Sequence, residues 1–233
     1  MASIRIVGNQ LALIYAERLF QDSYCRIIKE IHGDLIEYWI HSQKLESLTS
    51  KDDVKVIAEE LIEYLNSILF YGKDSDSYLE YDSIKIGNTV YMDFVDYISL
   101  QDDCSFIENN KEIDLDAQRI NKIQVCYQKN ENLQELLGLY YRKGVDFVNL
   151  FRIYEKLKSF GIKPVAKGWL TREQESNFTN TANNPAASGD EARHGKSTCE
   201  PPKNPMSLQQ AKQMIDGIID KYIDEIYNSL SNE

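Results

Sequence analysis

TANNPAASGDEARHGKSTCEPPKNPM, Thr181–Met206, is the stretch on which the reading of this chain turns. It lies between two helix starts. Upstream, Thr171-Arg-Glu-Gln174 has the form of a capping box and opens a helix through Phe178 towards Ala182. Asn183-Asn184-Pro185 ends it, because proline brings no N–H and restricts the residue before it. Downstream, Ser207-Leu-Gln-Gln210 repeats the capping pattern, and Leu208, Ala211, Ile215, Ile218, Ile219, Tyr222, Ile226 and Leu230 then form the cleanest amphipathic stripe in the chain. The polar loop between, 183–206, carries Asn, Gly and Pro, an Arg193-His194 pair, and the lysines Lys196 and Lys203. A connector that long inside a compact domain is characteristically functional or disordered.

Helical spacing dominates outward from this run. Leu133, Leu136, Leu137, Tyr140 and Tyr141 share one face, and Phe147, Leu150, Phe151, Tyr154 and Leu157 another, stopping at Gly161 before Pro164. Towards the N-terminus, apolar residues from Leu11 to Ile31 predict a helix over 10–31. Leu35, Ile36, Trp39 and Ile40 predict a second, short one after a break at Gly33-Asp34. A third helix is expected from Asp53 to Phe70, ending at Gly72. The period changes at Asp82–Met92, which alternates around Gly87-Asn88 and predicts a hairpin pairing Ile86 with Thr89 and Ile84 with Tyr91. Residues 100–120 read as acidic and irregular, and 124–128 as a short strand through Val125 and Tyr127. The expected fold is mainly α: a helical bundle with a small β-hairpin insertion at about 78–128, built as a single domain over 1–233 because no Pro/Gly/Ser linker divides it.

Composition bounds the function. The chain has 233 residues, with a net charge of −11, and such an acidic body does not coat nucleic acid non-specifically. A local basic site stays open. No apolar run is long enough to cross a membrane, and the start lacks a basic leader with an apolar block, so a cytoplasmic protein is expected. Four cysteines without a CxxC pair, beside three histidines, argue against a structural zinc site. The thiols are expected to be free.

Several motifs fall away on inspection. Gly195-Lys196-Ser197-Thr198 looks like the end of a phosphate-binding loop, but Asp190 stands where the first glycine belongs and no strand precedes it. His32 and His41 read as packed or exposed rings near the Gly33 break. Glu59-Glu60-Glu63 reads as a solvated helix face, and Asp74-Ser-Asp76 and Asp102-Asp103 lack calcium-loop spacing. His194 is the histidine placed for chemistry: an imidazole exchanges protons near neutrality, and Arg193, Lys196 or Lys203 could meet phosphate charge.

The helix pair containing DFVNLFRIYEKL, the ANNPAASGDEARHG stretch with its His-Gly, and PPKNPMSLQQA before the closing helix together resemble the HEPN superfamily over roughly Leu133 to Ile226. Many members are ribonucleases of bacterial defence or toxin–antitoxin systems. The resemblance implies RNA binding or metal-independent RNA cleavage, no cofactor and no metal, and a homodimer that brings two histidines together. It places His194 as acid or base, Arg193 on phosphate, and Asn183, Asn184, Lys196 and Lys203 against substrate. The pattern departs from the superfamily in one respect: no Arg precedes His194 with four to six residues between them, where Gly189, Ser188 and Ala187 are found. The alternative is a non-catalytic helical module whose acidic surface meets a protein partner.

Overall fold

The computed structural model describes residues 1–73, 79–92, 110–193, 195 and 200–231, with the side chains of 72, 73, 110–116 and 191 left aside. The chain divides into two compact units, Met1–Asn121 and Lys122–Glu233.

The first unit is built on a sheet. Its elements are β1 (Ala2–Gly8), α1 (Gln10–Leu19), β2 (Arg26–His32), β3 (Leu35–His41), α2 (Lys51–Lys73), β4 (Leu79–Ile86) and β5 (Thr89–Met92), followed by the start of α3 (Asn110–Lys129). The five strands run in the order β2-β3-β1-β4-β5, and every pair is antiparallel. The Gly87 hairpin forms with the expected register, Ile86 opposite Thr89 and Ile84 opposite Tyr91. It is the edge of a five-stranded sheet, however, and not a small insertion. The strands begin at Ala2, outside the expected 78–128.

The expected helix over 10–31 is α1 followed by β2, and the expected short helix at 35–40 is β3. The reason is the turn between them. Gly33 sits at φ +65°, a conformation that glycine alone adopts without strain, and with Asp34 it makes a two-residue hairpin turn that pairs His32 with Leu35 and Ile28 with Trp39. Side chains alternate across this sheet. Ile4, Ile6, Ile27, Ile40 and Ile84 are buried and, with Ala16 of α1 and Leu61, Leu65 and Ile68 of α2, make the core of the unit. Asn66 of α2 ties the helix to the sheet: its buried amide donates to the Leu79 carbonyl and accepts from the Leu79 N–H, both at 2.8 Å. An unpaired strand end is thereby satisfied inside the core.

On the opposite face, Arg5 gathers two carboxylates. Its guanidinium donates to both oxygens of Asp82, at 2.8 and 2.7 Å, and to Glu37 Oε1 at 2.5 Å. A β-bulge makes this reach possible. Arg5 pairs with Ser83 and Ile6 with Tyr81, so Asp82 is the extra residue of β4. The pair holds the Arg5 pKa above its ordinary value, with the Asp82 hydrogen bonds outweighing burial.

The second unit is helical: the end of α3, α4 (Glu131–Lys143), α5 (Phe147–Ser159), α6 (Arg172–Asn183), the single turn α7 (Pro185–Ser188) and α8 (Leu208–Leu230). The expected strand at 124–128 is part of α3. Ile120, Ile123, Cys126 and Tyr127 are buried at helical spacing while Val125 is exposed, and a strand cannot give that pattern. Asn130, Asp146, Thr171 and Ser207 each cap the following helix, and the last two complete capping boxes with Gln174 and Gln210. Leu136, Leu137, Leu150, Ile153, Phe178, Ile215 and Ile219 fill the core; burying each such side chain contributes about 1.5–3 kcal/mol. The described residues thus form a mainly helical chain with a sheet. No helix among them is long and apolar enough to cross a membrane.

Candidate functional site

The polar run is anchored at the end of α6. Thr181 is fully buried there, and its carbonyl accepts from the Ser188 hydroxyl at 2.9 Å and the Asn184 N–H at 3.2 Å. Its own hydroxyl accepts from the Met206 N–H at 3.1 Å, and the Arg193 N–H donates to the Ala182 carbonyl at 2.8 Å. Both ends of the connector therefore return to one turn of helix. Asn184 caps α7, accepting from Ala186 N at 3.0 Å, and Pro185 takes the first helical position, where no N–H is needed. Gly189–Glu191 adds a 3-10 turn. The run expected as loop is helical over 185–191 because Asn, Pro and Gly fall at positions that cap and end a turn.

The expected site residues fare differently. Arg193 lies over the Phe151 ring, 4.4 Å from its centroid, and pairs with Glu155 Oε2 at 3.2 Å. Its guanidinium is thus held against α5 by a cation–π contact and a carboxylate. Asn183 has a buried side-chain oxygen with no hydrogen-bond partner among the described residues. Asn184 is buried and serves the α7 cap; Lys203 is exposed. His194 and Lys196 lie outside the described residues.

Beside this connector is a cleft of about 530 Å³, bounded by Trp169 and Leu170 before α6, by Gln174 and Asn177 on α6, and by Asn204, Pro205 and Met206 at the end of the run. Gln210, Gln213, Met214, Gly217 and Lys221 of α8 form its other wall. These α8 positions repeat at three and four residues and lie beside the buried stripe, so the helix shows one face to the core and its neighbour to the cleft. The capping bonds hold two amides in place. Gln174 Oε1 accepts from the Thr171 N–H and Gln210 Oε1 from the Ser207 N–H, each at 2.8 Å, which leaves their NH2 groups as donors. Lys221 Nζ donates to the Trp169 carbonyl at 3.0 Å, and Lys167, held by Glu225 at 2.6 Å, sits 5.0 Å from the Trp169 ring centroid. Lys221 is the sole charged residue of the lining among the described residues, on a chain of net charge −11. Gly217 is a helical glycine whose added Cβ would meet nothing within 4 Å.

An aromatic wall, five amides, two methionines and one cation suit a flat, uncharged group with a hydrogen-bonding edge and a nearby negative charge. The sequence carried a signal for this cleft that motif reading passed over. Gln210, Gln213, Gly217 and Lys221 are a polar stripe beside the apolar one, and Gln174 and Asn177 form a matching pair. No family model, curated protein or solved structure matches the chain.

Proposed function

We propose that the C-terminal unit is a HEPN-like RNA-binding domain of a bacterial defence or toxin–antitoxin protein working in the cytoplasm. An unstacked nucleotide of single-stranded RNA enters the Trp169 cleft, stacks on the indole and bonds its base edge to the amides of Gln174, Asn177 and Gln213. Single-stranded RNA is recognised in this way elsewhere, because splayed bases offer a flat face and a polar edge. The observation that carries the reading is the cleft lining: among the described residues, an aromatic ring, five amides and a lysine with no carboxylate. Lys196 and Lys203, both of the same connector, would meet backbone phosphate.

Cleavage belongs to the same proposal. His194 would take the proton from a ribose 2′-hydroxyl, the 2′-oxygen would attack phosphorus, and the 5′-oxygen would leave with a proton returned to it. A homodimer would bring two copies of His194 to one groove. Arg193, bound to Glu155 and Phe151, favours the second reading, a non-catalytic module that binds without cutting or meets a protein partner.

Fluorescence anisotropy with labelled single-stranded RNA tests binding. Trp169→Ala should weaken it by about tenfold or more, since stacking is worth about 1–3 kcal/mol per base. Gly217→Leu, which projects a side chain into the cleft, should block it while the helical circular dichroism is kept. RNA cut without metal by the parent chain and left intact by His194→Ala would support the nuclease. Binding untouched by both cleft variants would remove the RNA reading.

A further inference from the structure

We propose that Glu30, His32 and Glu37 form a binding site for one divalent transition-metal ion on the sheet of the N-terminal unit. Glu30 of β2 and Glu37 of β3 are cross-strand partners in register, and His32 follows Glu30 on the same face. Like charges set directly opposite on a sheet repel. Here they converge, with one ligand atom from each of the three residues lying within 4.8 Å of the other two.

The spacing fits a metal. Bonds of about 2.0–2.2 Å in a tetrahedral site put ligand atoms about 3.3–3.5 Å apart. His32 Nε2 stands 3.3 Å from Glu30 Oε2 and 4.0 Å from Glu37 Oε2, so of the three edges among these ligands one is already made and a second needs a closure of about half an ångström, while the Glu30–Glu37 edge lies within 4.8 Å. Groups outside the triad orient it. Arg5, itself locked by Asp82, holds Glu37 through Oε1, and Trp39 Nε1 lies 3.4 Å from Glu37 Oε2. Carboxylate ligands held this way by outer partners are a regular part of metal sites. The Glu37 side chain is 14% exposed and that of His32 60%, so the ion would sit with its inner side on the sheet and a water on its open side.

One imidazole and two carboxylates select borderline metals such as zinc or cobalt over calcium, which takes six to eight oxygens. Bound there, the ion would join β2 to β3 two residues from the Gly33 turn, and it would neutralise the paired glutamates. The two thiols among the described residues, Cys25 and Cys126, are buried. They compete poorly for an added ion.

The test is a zinc titration of the full chain against a chromophoric chelator, with His32→Ala and Glu30→Gln beside the parent. Both substitutions fall on the strand surface, and circular dichroism and the melting temperature without metal report whether the fold persists. The parent should bind one zinc with a dissociation constant in the micromolar range or tighter, and its melting temperature should rise with zinc. Each variant should bind about tenfold more weakly or worse, since outer partners alone are worth about 10–100-fold. Cobalt loading should give visible bands without thiolate charge transfer. Equal zinc binding by parent and His32→Ala, no binding in the micromolar range, or a cobalt spectrum dominated by thiolate would each overturn the assignment.

Discussion

The two units of this chain obey different rules of assembly. In the C-terminal unit, structure follows from local signals: Asn130, Asp146, Thr171 and Ser207 start helices within the residues beside them. In the N-terminal unit, β1 lies between β3 and β4, and β4 begins about seventy residues after β1 ends. There no short window contains the partner that decides the conformation. The first unit spends backbone entropy on distant pairing before any reward arrives, whereas the second gains one hydrogen bond per residue as each helix grows.

The sharpest way to break this contrast is in the helical core. Phe178 is fully buried on α6, with its ring 6.1 Å from Phe151 and 5.8 Å from Tyr154. Phe178→Ala should cost about 3–5 kcal/mol in urea unfolding, the range for a large aromatic lost from a packed core. A cost below about 1 kcal/mol would mean that packing matters little there and that the caps alone hold the helices.

Next in size is the sheet's long-range ion cluster. Arg5→Ala strands Glu37 and Asp82, each with a side chain only 14% exposed, and should cost about 2–3 kcal/mol. Asp82→Asn keeps the shape of the bulge and should cost less. Equal losses in the two variants would show that the Arg5–Asp82 charge pair, not the stranding of two carboxylates, carries the stability.

The caps come third. Thr171→Ala removes the bond from the Gln174 N–H at 3.1 Å, loosening the turn that presents the Gln174 amide, and should cost about 1 kcal/mol, as should Ser207→Ala. Because both glutamines line the cleft, these variants should also weaken ligand binding there. Lost stability with unchanged binding would separate the two roles.

The smallest effect is one of pH. Burial lowers the His41 pKa from its ordinary 6.5, helped by the positive charges of Arg26 and Lys85 and opposed by Glu30. The unfolded chain therefore takes up this proton at a higher pH than the folded one. Stability from the neutral ring is present above about pH 6.5 and falls as the solution is acidified through the unfolded value. His41→Gln should flatten the pH dependence of urea midpoints between pH 7 and 5. A slope unchanged by the substitution would assign it to other groups.

The same contrast explains what could be read from sequence. The capping boxes at Thr171 and Ser207, the stripes of α4, α5 and α8 and the Gly87 hairpin were legible because each is complete within a few residues. The hairpin at Gly33-Asp34 carries the same glycine turn as Gly87-Asn88. It was obscured because Leu35, Ile36, Trp39 and Ile40 also satisfy helical spacing. That spacing arises from a strand with bulky side chains on both faces: Ile40 enters the core, and Trp39, on the polar face, is itself buried. Ser3-Ile-Arg-Ile6 alternates, but four residues are too few to outweigh the helical pattern that follows. The cleft was half legible. Its amide stripe is written on α8, whereas the approach of Asn204 to that stripe depends on the connector folding back to Thr181.

The extra residue in β4 sets how this sheet can change length. Removing Asp82 would join Tyr81 to Ser83 and leave an unbroken ladder with β1, inside and outside positions intact on either side. An equivalent deletion elsewhere in the strand would turn one segment inside out. Position 82 is thus the one place in this strand where a single codon could be lost without inverting the sheet, and the loss would be felt in charge, through an Arg5 left with Glu37 alone, and not in topology.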